Sequence, residues 1–506
     1  MLQALLRSGS RAPALFAPPS PTAVTYEQLE SLTHGLRLFL STLRLPRQTA
    51  VAIVLPNGVE FVVAFLGAAY SAFVACPLNP ALKQDEFEFY LDDVQASVLL
   101  VPQGSPDSLP AVKAARKIGS RVKVFGIGVK DGRLQVEPFD GKPLKRMEDV
   151  PTATDDDIAL VLHTSGTTGR PKIVPLSHGN LMASMKNIST TYDLSTSDRS
   201  LLVMPLFHVH GLMCGLLAAL SAGCAVIVPA KFSASTFWDD YTKYGATWYT
   251  AVPTIHQILL KNPPAQVPRI RFIRSCSSAL AETTFHRLEQ TFKAPVIEAY
   301  AMTEAAHQMT SNDLPPGKRK PGSVGVGHGV DVAILDGEGR PVAQGAEGEI
   351  CIKGRNVTRG YHNNAAANKT AYTADGYFRT GDQGRKDPDG FVFITGRIKE
   401  LINRGGEKIS PPELDGVLLS HPAVAEAVVF GVPSELYGQE VEAAVVPAAG
   451  KRPSERELID YVAGKVARFK VPKKIYFTDA IPKTATGKVQ RKNVADTFHR
   501  PTKAKL

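Results

Sequence analysis

Cysteine is scarce in this chain: five residues in 506, at Cys76, Cys214, Cys224, Cys276 and Cys351, with no CxxC pair. That usage excludes a disulfide framework and a thiolate metal site, and mostly apolar neighbours imply buried thiols in a reducing compartment. Concentrated charge is also lacking. The net charge is +10, but the densest basic stretches are only 468–474 and 488–492, which suits nucleotides and phosphorylated cofactors rather than a nucleic-acid groove. Uninterrupted apolar runs of bilayer length are missing as well. The most membrane-like segment, 211–230, is broken by Gly223 and reads as a buried helix over 212–220, a glycine turn and a strand over 225–228, so no integral membrane segment is expected. The first 26 residues contain no acid. With only Arg7 and Arg11 and with Pro18, Pro19 and Pro21, they read as a helix and loop of the mature protein, not a mitochondrial presequence. Repeats and low-complexity tracts are absent. An apolar content of 44% and a charged content of 21% make the chain globular, with length for several cores.

What is present is ordered. From about residue 50 to 300, strand-length apolar runs (51–55, 200–204, 247–249, 271–275, 296–299) alternate with helix-like stretches such as 235–243 and 282–292, the pattern of parallel α/β layers. From 321 the texture changes to short β runs punctuated by Asp336-Gly337, Gly339 and Gly348, predicting a small β barrel or sheet. A further boundary falls near Gly396. Beyond it, Ser410-Pro411-Pro412-Glu413 spells a capping box opening a helix over 411–419, and strands over 424–429 and 441–446 and a helix over 455–467 follow. The expected organisation is a large N-terminal domain, 1–396, of layered α/β subdomains with the β part at about 321–396, and a small α+β domain, 397–506.

Residues 163–172, HTSGTTGRPK, follow an apolar run at 158–162 that reads as a buried strand. Gly166 and Gly169 allow backbone N–H groups to turn toward an anion, and hydroxyls with Lys172 can complete a phosphate cradle. Arg170 and Pro171 separate glycine from lysine, which disfavours a Walker A loop. A polar surface loop has the same composition, so other segments must decide. Four do: EAYAMTE at 298–304 offers an aromatic that can stack on a purine and a carboxylate suited to Mg²⁺; YFRTGD at 377–382 ends in Asp382, able to accept ribose hydroxyls; GRIKELI at 396–402 is a charged strip at the domain boundary; PKTATGK at 482–488 is a glycine-tipped loop ending in Lys488.

In this order, the five segments resemble the adenylate-forming superfamily of acyl-CoA synthetases, luciferases and peptide-synthetase adenylation domains, from about Tyr26 to Asn493. The resemblance implies an ATP-dependent acid–thiol ligase that makes an acyl-adenylate with Mg²⁺ and passes the acyl group to CoA. It assigns Thr164, Ser165, Gly166, Thr167, Thr168, Gly169 and Lys172 to the β,γ-phosphates. Tyr300 would stack on adenine beside Met302, Thr303 and Glu304 would contact phosphate and Mg²⁺, and Asp382 with Arg397 would bind ribose. Lys488 would bridge carboxylate and α-phosphate, Lys399 would be the hinge, and Gly405 and Gly406 would border the pantetheine tunnel. Ile173 departs from the glycine common after the lysine, which bears on loop flexibility. A luciferase-like adenylate oxidase and a non-catalytic RNA-binding protein are the competing classes.

Where fatty and aromatic acids meet apolar or small residues in this family, this chain supplies His208, Ser277, Ser278 and His307, with His210 and Gln308 nearby. Donors around a small cavity suit a short, polar, dicarboxylic acid, because an apolar acyl group would leave them unpaired. MPLFHVHGL, RSCSSAL and EAYAMTEAAHQMTSN resemble the peroxisomal oxalate–CoA ligase subfamily, which implies His208 as a catalytic and substrate residue and oxalate as the acid; malonate and short or coumarate-type acids are the alternatives. His210 has a simpler reading as a helix cap. Ala504-Lys505-Leu506 differs from the peroxisomal address Ser-Lys-Leu by one small-for-small change, predicting peroxisomal delivery through the import receptor.

Overall fold

The computed structural model describes residues 5, 9–138, 152–164, 171–483 and 489–499. Ser165, Gly166, Thr167, Thr168, Gly169 and Lys488 of the expected nucleotide site, and the terminal Ala504, Lys505 and Leu506, lie outside them.

Among the described residues the chain folds into four sheets. The first has seven strands in the order Arg133–Pro138, Lys123–Lys130, Val98–Pro102, Ala50–Ile53, Val74–Pro77, Ile158–Thr164 and Lys172–Ser177. The second has nine: Val326–Gly327, His307–Ser311, Val296–Met302, Phe272–Ser275, Trp248–Ala251, Arg199–Leu202, Ala225–Ile227, Pro13–Phe16 and Ala23–Thr25. Within it the pairings from Val296–Met302 to Pro13–Phe16 are parallel and the outer ones antiparallel. Such strands lie buried on both faces, which is why they read as apolar runs without alternation. Within the amino-terminal stretch expected to be helix and loop, Pro13–Phe16 is instead a strand of this sheet.

One core joins both sheets, with Val51 and Leu160 of the first and Leu202, Trp248 and Phe272 of the second packed through the intervening helices. Helix Val59–Tyr70 is apolar around most of its circumference and almost wholly buried. A Cβ at its Gly67 would lie 2.6 Å from Leu36 Cδ2 on helix Tyr26–Thr42, so glycine sets how closely these two helices cross. The membrane-like segment is an internal helix, as expected. It starts two residues earlier than its apolar run, as a π-helical stretch His210–Ala218 continued by Ala219–Ala222, and it ends at Gly223 with φ +81° before strand Ala225–Ile227. Gly211 is required there, since a Cβ would lie 2.3 Å from the Pro205 carbonyl oxygen. No helix among the described residues is long and apolar enough to cross a membrane. All five cysteines are buried, and burial pushes the Cys214 thiol up to about 11 and Cys76 up to about 12.

Residues 331–397 form a four-stranded antiparallel sheet, Asp331–Leu335, Gly348–Lys353, Phe378–Lys386 and Val392–Arg397. The small C-terminal domain has its own sheet, built around Val424–Ser434 and Gly438–Pro447, and its own core of Ile402, Leu414, Val429, Val441, Leu458 and Ile475. Its first helix is Pro411–Leu419, as the sequence predicts, but only half of the capping box forms. Ser410 Oγ accepts the Glu413 N–H, whereas the Glu413 carboxylate turns to Lys470 at 2.8 Å. The Ser410 hydroxyl also donates to the Thr395 carbonyl, tying the small domain to the end of the four-stranded sheet.

Candidate active site

The carboxyl ends of parallel strands are where open α/β sheets present their loops, and strands Trp248–Ala251, Phe272–Ser275 and Val296–Met302 deliver Thr250, Ser277 and Thr303–Glu304 at that edge. Two antiparallel strands, Phe378–Lys386 and Val392–Arg397, place Asp382 directly opposite Arg397. The Tyr300 hydroxyl donates to Asp382 Oδ2, and Arg397 Nε donates to Asp382 Oδ1 at 2.9 Å. Asp382 and Arg397, paired in the sequence reading, are in contact, and the structure joins Tyr300, read separately, to them: the tyrosine and the aspartate touch, so the aromatic ring is held by its own hydroxyl. Asp382 in turn holds the Arg397 guanidinium further into its charged form.

Glu304 sits buried in the single turn Thr303–Ala305. Its Oε1 accepts the Tyr361 hydroxyl at 2.9 Å, and Lys172 Nζ lies 4.3 Å from the centre of the Tyr361 ring. Burial raises the Glu304 carboxyl above its ordinary range, opposed by its own backbone N–H, by Tyr361 and by the charges of Lys172 and Arg397. A buried hard-oxygen donor of this kind is suited to a divalent cation. No group of three His, Cys, Asp or Glu side chains converges among the described residues; the buried Glu304 carboxylate is a donor that would fit Mg²⁺. Tyr361 was missed in the sequence; its only signal was an aromatic in the TRGYH segment next to a glycine.

Thr164 and Lys172 face each other across the antiparallel pair Ile158–Thr164 and Lys172–Ser177, at the two ends of the 165–170 segment. Ile173 is buried with Ala50, Val74, Cys76 and Val161, so the residue that departs from the family pattern fills core space.

The acid-site candidates converge on His210. Ser277 Oγ lies 3.1 Å from His210 Nδ1, Thr250 Oγ1 lies 2.6 Å from His210 Nε2, and the His307 ring stacks on His210 with centroids 5.2 Å apart. His208 Nδ1 accepts the His210 backbone N–H at 3.2 Å, so the capping histidine is His208 and His210 is the centre of the cluster, the reverse of the simpler reading. Ser277 has φ +74° and His307 φ +100°, with Ala306 at +46°. Left-handed backbone at such residues is strained and persists only where surroundings enforce it. Here Ser184 donates to the Ala306 carbonyl, Asn356 to those of Ala305 and Gln308, and the Thr358 N–H to that of Glu304. Ser278 stands apart: it is exposed and its hydroxyl returns to the Ser277 carbonyl.

In the small domain Gly405 and Gly406 make a left-handed turn (φ +60° and +94°) beside Tyr437, whose carbonyl accepts the Gly405 N–H at 2.8 Å and whose ring lies 4.0 Å from the Arg404 guanidinium. Lys399 is exposed in the one-turn Ile398–Glu400, between two anchors: Arg397 bound to Asp382, and Glu400 paired with Arg491 at 3.3 Å.

The family model described as AMP-binding enzyme matches residues 3–362, and that of the AMP-binding enzyme C-terminal domain matches 413–488. The chain is 48% identical to an oxalate–CoA ligase of Saccharomyces cerevisiae, over 97% of this chain and 96% of that protein. It is 50% identical to an oxalate–CoA ligase of Arabidopsis thaliana, over 88% of each. The crystal structure of ATP-bound MatB from Rhodopseudomonas palustris superposes with a TM-score of 0.89 at 29% identity, covering 98% of both chains.

Proposed function

This chain belongs to the AMP-binding enzyme family, and from that premise we propose that it joins oxalate to coenzyme A, forming oxalyl-CoA, AMP and pyrophosphate. It is an acid–CoA ligase that works through an acyl-adenylate, with ATP and CoA as co-substrates. The identity of the acid rests on the cluster around His210, where a small set of donors held by strained backbone replaces the apolar lining that a fatty or aromatic acid requires.

In the first step a carboxylate oxygen of the acid attacks the α-phosphorus of ATP; the new C–O–P bond forms as the bond to the β-phosphate oxygen breaks and pyrophosphate leaves. In the second the CoA sulfur attacks the acyl carbonyl and AMP departs. Both partners of the first step are anionic, so cations placed at the transferring group are the principal lever. Lys488 is assigned to that point. Thr164, the segment Ser165–Gly166–Thr167–Thr168–Gly169 and Lys172 hold the β,γ-phosphates. Tyr300 stacks on adenine beside Met302, while Asp382, fixed by Tyr300 and Arg397, takes the ribose hydroxyls. Thr303 contacts phosphate and Glu304 holds Mg²⁺, which when bound neutralises phosphate charge. His208, Ser277 and His307 contact the acid. Lys399, between its two anchors, is the swivel that exchanges Lys488 for the Gly405–Gly406 turn at the acyl carbonyl. Delivery to peroxisomes by a receptor reading Ala504, Lys505 and Leu506 belongs to the same proposal and is supported by that tripeptide alone.

A CoA-ligase assay over oxalate, malonate, medium-chain and phenylpropenoic acids tests the reading. Oxalate should release AMP fastest; strong turnover of coumarate with no response to oxalate overturns it. His307→Ala should raise the KM for oxalate about tenfold or more, the loss expected when a polar ligand group loses its partner, while leaving that for ATP nearly unchanged. Equal rises for both would place His307 outside the acid site.

A further inference from the structure

Behind the acid cluster lies Arg274, fully buried in strand Phe272–Ser275. Its guanidinium has no carboxylate partner among the described residues. Among the described residues it donates only to neutral acceptors, the Tyr192 hydroxyl at 2.7 Å, Thr250 Oγ1 at 3.2 Å and Gln308 Oε1 at 3.3 Å. A buried cation without a counter-ion is costly, and an anionic ligand nearby offsets that cost. The contacts lead outward to one. Arginine only donates, so Thr250 Oγ1 accepts from Arg274, and the threonine's single proton is left for a second partner. His210 Nε2 at 2.6 Å is the best acceptor in reach; the Cys214 thiol, also beside Thr250, accepts weakly. A neutral ring that accepts at Nε2 carries its hydrogen on Nδ1, which donates to Ser277 Oγ at 3.1 Å and leaves the Ser277 hydroxyl hydrogen for a ligand.

We infer that Arg274, acting through Thr250 and His210, orients Ser277 as a hydrogen-bond donor to the carboxylate of the acid that does not react. The three are positioning residues for a dianionic substrate, and the inference rests on the oxalate reading above. The alternative orientation, in which His210 donates to Thr250, turns the Ser277 proton back toward the ring and leaves an oxygen facing an anion.

Arg274→Met risks the fold, so the test uses Thr250→Val, close in size, with Thr250→Ser as the conservative control. Steady-state KM and kcat are measured with oxalate, with glyoxylate (the same size with one carboxylate) and with ATP, alongside thermal melts. Thr250→Val should raise the KM for oxalate about tenfold or more, change those for glyoxylate and ATP little, and lose discrimination between the two acids, while Thr250→Ser restores it. Oxalate turnover by the native enzyme with the same KM in Thr250→Val, or an equal loss for oxalate, glyoxylate and ATP, overturns the relay alone. A native enzyme inert to oxalate overturns the oxalate reading and the relay with it.

Discussion

Lys488→Ala is expected to lower oxalate-dependent ATP–pyrophosphate exchange by about 10²–10³-fold or more, the loss typical of removing a preorganised charge partner from a transition state. Thioester formation from synthetic oxalyl-adenylate and CoA should remain roughly unchanged. The asymmetry follows from the chemistry. Adenylation drives a carboxylate onto a phosphate, so negative charge accumulates where a lysine ammonium can neutralise it. Thiolysis attacks a neutral carbonyl and expels AMP, and it needs a different wall at the same place. The described residues on either side of 484–488 are anchored. Lys483 and Val489 pair as an antiparallel bridge, Lys483 Nζ holds Glu426 at 2.7 Å, and Arg491 is fixed to Asp415 at 2.6 Å and to Glu400 at 3.3 Å. Equal loss of both half-reactions would refute the division of labour.

Glu304→Gln should be nearly as severe for a different reason. The amide keeps the shape and can still accept the Tyr361 hydroxyl, but it loses the charge that the proposed Mg²⁺ contact requires. The kcat/KM for ATP is expected to fall about 10²–10³-fold, and the Mg²⁺ concentration needed for exchange to rise. Stability should move the other way. Burial raises the Glu304 carboxyl, so the folded protein binds that proton more tightly than the unfolded chain. The associated stability is fully present below the ordinary carboxylate pKa and is lost as pH rises through the raised value. Glutamine does not titrate, so the variant should melt at or above the native temperature at neutral pH. An unchanged Mg²⁺ dependence would remove Glu304 from the metal role.

Much of the chemistry was legible in the chain because it is written in short segments. EAYAMTE carries Tyr300, Thr303 and Glu304 within five residues, and a strand followed by a single turn needs no long-range information to present them. The helix start at Ser410 and the buried helix within 211–230 were readable for the same reason, since caps and apolar runs are local. The acid site was legible only in its list of members. His208, Ser277 and His307 could be named from their positions, but His210 looked peripheral and Tyr361 had no signal beyond an aromatic in a loop.

By itself, then, the sequence determined the order of the nucleotide-binding segments, the α/β layering and the family, because each depends on residues adjacent in the chain or on the period of apolar positions. Only the tertiary structure decided what the donors do. The contacts from Arg274 to Thr250 and from Thr250 to His210 span 24 and 40 residues and exist because two neighbouring parallel strands and the start of one internal helix meet at a common edge. The left-handed backbone at Ala306 and His307 is likewise held by distant side chains, Ser184 and Asn356 among them. Hydrogen-bond direction is a property of such closed networks, where each proton can be given only once, and no pattern along the chain records it.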